Sequence, residues 1–361
     1  MNLLDFLAGK SGLQVICLTS RNNRFNKYIT QNIYIRRFGF DWSQSMPSKF
    51  RRLFTYLSFN IGSLLYLIRF RPKKVLYYET LSSWPVYAYH FFFRNAKIYI
   101  HYHEYSSPVQ YQTGMKLEKY LHVLEKKLYP NVDWISHTNK FRLHKFKEDQ
   151  NLTDFEGNQF EVMPNYPPQR WGKIEKGKKA AEGTTKLVYV GHTLSFDTMY
   201  CKELLDWVSN NSKKVKLDCY LHKKPEAIKS YLYRNKISNV NLYDAVMYND
   251  LPKVLIKYDL GLIIYKAHIE NFKYNAPNKL FEYLACGLDV WFPEVMTGSM
   301  EYVCEEAEPR VLALDFERLE QYSISYLFGR ADLPRRETNH ICEPVYEKLY
   351  QAMLGNKAHG S

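Results

Sequence analysis

Residues 274–293 read Tyr274-Asn-Ala-Pro-Asn-Lys-Leu-Phe-Glu-Tyr-Leu-Ala-Cys-Gly-Leu-Asp-Val-Trp-Phe-Pro293, a loop, a short helix and a strand in succession. Pro277 suits the first turn of a helix, where its missing N–H costs nothing. Asn275 can cap that turn. Leu280, Phe281 and Leu284 form an apolar side. Gly287 fits the helix end, and Val290-Trp291-Phe292 resumes as a buried strand. Asn278 and Glu282 are four residues apart on one face, with Lys279 three residues before Glu282. A helix N-terminus with free N–H groups is an anion site. A carboxylate one turn inside can accept two hydroxyls, as on a ribose. Together these parts suit a nucleoside diphosphate. The plain alternative is a surface helix whose Lys279–Glu282 pair is worth about 0.3 kcal/mol.

Outward from this stretch, the second half repeats a strand–helix rhythm. Strands are expected over 186–191, 215–220, 240–243 and 260–264, with helices over 198–209 and 224–234 and from Asn249 or Asp250, where Pro252 sits in the first turn. In the first half, 14–19, 75–78, 97–101, 132–136 and 161–163 read as strands, and 49–70, 84–93 and 114–129 as helices. Alternation of this kind argues for parallel, doubly wound sheets. Pro164-Asn-Tyr-Pro-Pro168 and the Lys/Gly-rich run to Thr185 break the two series apart. The expected organisation is one domain over 1–168, a linker over 169–185, a second domain over 186–340, and a terminal helix and tail over 341–361.

The bulk properties set the class. The chain has 361 residues, 46% hydrophobic and 24% charged, which fits two globular domains with their own cores. The six cysteines follow no metal-ligand or redox spacing, so reduced thiols are expected. No secretory signal is visible, and no run reaches the ~20 apolar residues of a membrane span. The expectation is a cytoplasmic protein, peripheral to the inner face of a membrane at most. The formal charge of +13 is uneven: residues 1–170 hold 24 Lys/Arg against 12 Asp/Glu, and the remainder 26 against 25. A basic half can meet an anionic surface. Residues 49–74 concentrate Lys49, Arg51, Arg52, Arg69, Arg71, Lys73 and Lys74 around an apolar interior that reads either as a core helix or as a membrane-facing one. No nucleic-acid module, repeat or arginine-rich tail accompanies the charge.

The 274–293 stretch resembles the donor-site motif of GT-B glycosyltransferases, particularly family four and its relatives. There a Pro-x-Lys-x-x-Glu-Tyr-x-Ala-x-Gly pattern binds a nucleotide-sugar. The resemblance covers residues 186–293 well and the first half only weakly. It implies two Rossmann-like domains facing a central cleft, the first lacking an ordinary first strand and glycine-rich loop. It gives Glu282 the ribose, and Pro277, Asn278 and Lys279 the helix start. Many members carry a second Glu near the sugar, and Tyr274 stands at that position, beside Asn275. The resemblance implies a metal-independent, retaining hexosyl transfer with no cofactor, a UDP- or GDP-sugar serving as donor substrate.

Two further segments complete the expected site. Gly191-His192-Thr193 follows the first strand of the second half, where backbone N–H groups can approach a diphosphate. His101-Tyr-His-Glu-Tyr105 follows the 97–101 strand, and ligands bind at such strand ends. His103 and Glu104 are the candidate catalytic residues, Glu104 as proton acceptor. No metal-ligand spacing occurs. The expected activity is sugar transfer to a glycan or polyprenyl-diphosphate-linked acceptor in surface polysaccharide synthesis. The alternatives are a nucleotide-sugar epimerase of the same fold and a non-catalytic basic binding protein. No nucleic acid is expected as a partner.

Overall fold

The computed structural model describes residues 2–20, 32–39, 48–153, 159–174, 183–329, 333–337 and 339–355. The chain divides into two compact units, Met1–Pro164 with Cys342–Ser361, and Asn165–Ile341.

The second unit is built on a six-stranded sheet of β7 (Thr185–Gly191), β8 (Val215–Leu221), β9 (Val240–Asp244), β10 (Leu260–Leu262), β11 (Asp289–Pro293) and β12 (Val311–Leu314), ordered β12-β11-β10-β7-β8-β9 with every pair parallel. The order reverses between β7 and β10, the switch point at which open parallel sheets bind ligands. Side chains alternate between two cores. Trp291 of β11 joins Leu187, Tyr189, Trp207 and Leu217 on one face. Val290 and Phe292 join Val188, Phe281 and Tyr283 on the other. Both faces are covered, as parallel strands require.

The linker expected over 169–185 is shorter in the structure. Residues Gln169–Lys173 form a 3-10 turn whose Trp171 is buried in the second core, against Tyr248. An indole of that size is held by the apolar area it removes from water. Residues 175–182 of that linker lie outside the described residues, as does the tail beyond 355.

The first unit holds a four-stranded parallel sheet, β3 (Lys74–Tyr78), β4 (Lys97–Tyr102), β5 (Trp134–His137) and β6 (Phe160–Val162), in sequence order. Ile98, Ile100 and Ile135 face helices Ser83–Phe92 and Lys140–Asp149. The opposite face, Tyr99, Trp134 and Met163, is closed by Leu349 of the terminal helix Cys342–Leu354. The Tyr99 hydroxyl donates to the Ala352 carbonyl at 3.2 Å, and Lys348 pairs with Glu161 at 2.6 Å.

Three local expectations change. The 14–19 strand is only half-buried and lies outside the main sheet, because β1 (Val15–Thr19) pairs with β2 (Ile33–Arg37) alone. The helix expected over 114–129 is shorter, Lys116–Glu125, and a separate helix, Pro108–Thr113, precedes it across Gly114. A capping box between Ser107 and Gln110 starts Pro108–Thr113.

The third change concerns helix Lys49–Phe70, which at 22 residues is long and apolar enough by length and composition to cross a membrane, against the expectation that no segment was. It is not a core helix either. Its buried side is Thr55, Asn60, Ser63 and Leu67. Phe50, Leu53, Phe54, Leu57, Ile61 and Leu65 are exposed.

Gly261 is a point of very close packing in the second unit. A Cβ there would lie 2.2 Å from ring carbons of Tyr283, which is fully buried. Gly261→Ala should therefore push the ring and its helix away from β10. The expected loss is about 1–3 kcal/mol, measured as a lower urea midpoint; an unchanged midpoint would show that the ring has room to move.

Candidate functional site

The helix of the opening motif spans Asn278–Ala285, one residue later than the sequence indicated. Pro277 occupies the N-cap position at φ −70°, ψ 150°, with no side-chain cap. Asn275 does not cap the turn; its carbonyl accepts from Ser299 Oγ at 2.9 Å. The first-turn N–H groups are thus left without a side-chain acceptor, which favours an anion there. Pro cannot supply a capping oxygen, so the local sequence itself creates this vacancy.

Tyr283 ties this helix to the switch point. Its hydroxyl accepts from Val190 N at 3.1 Å and reaches the Leu262 carbonyl at 3.5 Å. One side chain thus joins the ends of β7 and β10 to the helix, and it fixes the chain just before Gly191-His192-Thr193. Burial pushes the Tyr283 phenol well above its ordinary range, and the hydrogen bond from Val190 opposes this only in part. Gly191 is half-buried and His192 exposed. The His192 carbonyl accepts from Lys223 N at 2.9 Å, and the His192 and His222 rings lie 5.7 Å apart. Thr193 receives the Tyr189 hydroxyl on its carbonyl at 3.2 Å.

Asn278 is exposed, and Lys279 and Glu282 form an ion pair on the inner side of the helix. Glu282 is 3% exposed, so the pair is far more sheltered than a surface i,i+3 bridge. Desolvated charges of this kind demand partners, and the arrangement gives Glu282 a cation that a bound anion would compete for. Tyr274 and Asn275 are held from the far side by residues the sequence reading missed. A Cβ on Gly298 would lie 2.2 Å from the Tyr274 carbonyl oxygen and 2.8 Å from Asn275 N. Thr297-Gly298-Ser299, which begins after three intervening residues beyond the end of β11, carried a signal in its small residues alone. Lys266, in the loop after β10, contacts Glu203 at 3.6 Å and donates to the Phe196 carbonyl at 3.1 Å.

In the first unit, His103 and Glu104 leave β4 exposed, as strand-end residues should. His103 stacks on Tyr78 at 5.1 Å and sits edge-on to His101 at 4.6 Å. Burial, with His103 and His137 nearby, holds the His101 imidazole well below its usual pKa, hence neutral. Its Nδ1 is 2.9 Å from Ser136 Oγ. Arg142 donates to the His103 carbonyl at 2.6 Å and to Thr138 Oγ1 at 2.9 Å, and burial lowers its pKa to about 10. The sequence reading also passed over Glu79, whose Oε1 accepts from the backbone N–H groups of His103 at 2.6 Å and Glu104 at 3.2 Å. The strand-end rule that selected His103 applies equally to Glu79, the residue after β3. Among the described residues no three His, Cys, Asp or Glu side chains gather as a metal site would require. None of the six cysteines forms a disulfide.

No protein-family model and no curated protein sequence matches the chain. Solved structures do. The apo form of the lipopolysaccharide outer core galactosyltransferase WaaB has a TM-score of 0.63 at 11% identity, covering 98% of this chain and 94% of that one. Sucrose-phosphate synthase from Thermosynechococcus elongatus has 0.60 at 13% identity, covering 98% and 84%. The fold is GT-B. A putative UDP-N-acetylglucosamine 2-epimerase from Listeria monocytogenes has 0.58 at 13% identity, covering 100% and 94%. GT-B chains of this shape thus include both transferases and epimerases, and at such identities the likeness is one of fold.

If Glu282 is the ribose partner, Glu282→Ala removes a charged acceptor from two hydroxyls. Nucleoside-diphosphate affinity should then fall by about 1.5–3 kcal/mol, read by calorimetric titration of the folded variant. Wild-type affinity would take the residue out of the site.

Proposed function

We propose that the chain is a glycosyltransferase that moves a sugar from a nucleotide-sugar bound by the second unit to a hydroxyl of a glycan or lipid-linked acceptor, as surface polysaccharide synthesis requires. The observation that carries this reading is the Tyr283 bridge. It sets the 191–193 loop and an uncapped helix N-terminus, with Lys279 and Glu282 one turn inside, at the switch point of a parallel sheet. In this reading, backbone N–H groups of the loop and helix, with Lys279, receive the diphosphate. They stabilise its charge as the bond to the sugar breaks. Glu282 takes the ribose hydroxyls, and Asn278, Tyr274 and Asn275 line the sugar side. His103 and Glu104 belong to the acceptor side. No divalent cation is needed when fixed positive groups neutralise the leaving group.

The decisive experiment supplies UDP- and GDP-sugars with and without polyprenyl-diphosphate-linked acceptors. Free nucleoside diphosphate should form only when an acceptor is present, and chelation by EDTA should leave the rate unchanged. Conversion of the sugar in the absence of acceptor would instead establish an epimerase.

The exposed apolar side of helix Lys49–Phe70 extends the proposal to the acceptor's location. A helix that buries Thr55, Asn60 and Ser63 while exposing Phe50, Phe54, Leu57, Ile61 and Leu65 is inverted for water. Phe91 and Phe92 are exposed as well, at 62% and 72%. Lys49, Arg51 and Arg52 precede the apolar side, and Arg69, Arg71, Lys73 and Lys74 follow it. Apolar side chains between basic ends fit an anionic lipid surface, where a lipid-linked acceptor resides. Each basic residue near that surface contributes about 1 kcal/mol. Anionic vesicles should therefore sediment the protein more strongly than neutral ones, and salt should weaken the binding. Leu57→Glu with Ile61→Glu should abolish it. Equal binding to both lipids would remove the membrane from the proposal without touching the transferase reading.

A further inference from the structure

Within the second unit, β7 and β8 end side by side, because Gly191 is paired in register with Leu221. The next residue on each strand is a histidine, His192 and His222, and both are exposed. Their rings lie 5.7 Å apart, inclined at 33°. Backbone bonds hold them there. Lys223 N donates to the His192 carbonyl at 2.9 Å, which ties the two strand exits together. Ala245 N donates to the Leu221 carbonyl at 2.9 Å, which ties β8 to the exit of β9. The Tyr283 hydroxyl, at Val190 N, fixes the β7 exit against the motif helix. The two imidazoles therefore stand together at strand ends beside the switch point, where parallel sheets bind ligands. His192 is legible as a site residue from its place after β7. His222 is not, because nothing in the local sequence ties it to β7.

We propose that His222 is a further residue of the diphosphate site, and that with His192 it couples nucleotide binding to the uptake of a proton. The proposal rests on the donor part of the functional reading above, and every residue in it belongs to the second unit. Histidine is the side chain whose charge ordinarily changes between about pH 5 and 8. A phosphate oxygen beside an imidazole favours its protonated form. In that form both ring nitrogens are donors. Two rings at this spacing can then donate to two oxygens of one diphosphate. No covalent bond forms or breaks; a proton passes from solvent to the imidazole as the anion docks.

The charges around the pair are consistent with this role. Asp244, at the end of β9, is met by Lys224 at 2.8 Å, and Glu226, at the start of helix Glu226–Arg234, by Lys229 at 2.6 Å. Glu203 and Glu282 are met by Lys266 and Lys279. Lys223 is exposed beside His222, and Asp197 is exposed on the loop after His192. The carboxylates of β9 and of the neighbouring helices thus already have cations, and the rings remain for the anion. Lysine keeps its charge through neutral pH, so the titrating part of the attraction falls to the two imidazoles. The sign follows: nucleotide binding is strongest where imidazolium forms and weakens as pH rises.

Calorimetric titration with UDP and with GDP, at about pH 6 and about pH 8, tests this on wild type and His222→Gln. The nucleotide's own phosphate titrates in the same range, and comparison with the variant cancels that part. His222 is exposed, so the variant should keep the wild-type melting temperature. It should bind about 10–100-fold more weakly at the lower pH and close to wild type at the higher. Wild type should also take up more protons on binding than the variant, read from the heats in buffers of different ionisation enthalpy. His222→Lys, whose charge does not titrate there, should carry the low-pH affinity to the higher pH. Equal affinities of wild type and His222→Gln at both values overturn the proposal. A loss of the same size at both values does so as well, because it would mark a structural role. Wild-type protein that binds neither nucleotide at either pH would defeat the nucleotide-sugar reading and this proposal with it, a result distinct from the other two.

Discussion

The second unit depends on one contact, the fit of the Tyr283 ring over Gly261 with its hydroxyl at Val190 N–H. The ring needs a strand residue without a Cβ, and β10 provides it. The hydroxyl needs a backbone donor at the sheet end, and β7 provides that. Neither partner alone would place the helix. Together they fix its distance from the sheet and the side it presents at the switch point. Lys279 and Glu282 then point where they do because they are spaced around a helix whose rotation Tyr283 has already set. Gly298 completes the arrangement by letting a later turn press against the Tyr274–Asn275 backbone.

The first unit follows a different constraint. Its polar interior is unusually rich: Glu125, Tyr77, Thr80, Tyr111 and Tyr129 form one hydrogen-bonded group around a fully buried carboxylate. A buried charge of this kind is tolerated only when its lone pairs are satisfied. Such a group stabilises little beyond an apolar core, but it fixes geometry, and here it fixes the chain on both sides of Glu79. The strain at that residue, whose φ is 61°, is therefore supported by the fold beneath it rather than by the loop itself. On the outer surface the same unit carries the inverted helix Lys49–Phe70, where polar residues are taken into the protein and apolar ones are left outside. Water would select against that distribution, and a lipid surface would favour it.

The amino-acid sequence alone determined the alternating strand–helix order, the break after Pro164, the uneven charge and the Pro277–Glu282 motif. These are local signals: hydrophobic period, turn chemistry and residue spacing along a single helix. It placed His103 and Glu104 at a strand exit for the same reason. What it could not determine were quantities set by residues far apart in the chain. Asn275 was read as a cap because capping is judged from neighbours, whereas Ser299 holds its carbonyl from 24 residues away. Helix Lys49–Phe70 could be read as core or as membrane-facing, because periodicity gives a stripe but not what covers it. Only the tertiary structure decided which side faced inward. Glu79 carried no sequence signal beyond its strand-end position. Its place beneath the 103–104 loop comes from a backbone conformation that Glu125, 46 residues later, and that loop impose together, and no local pattern encodes such a conformation.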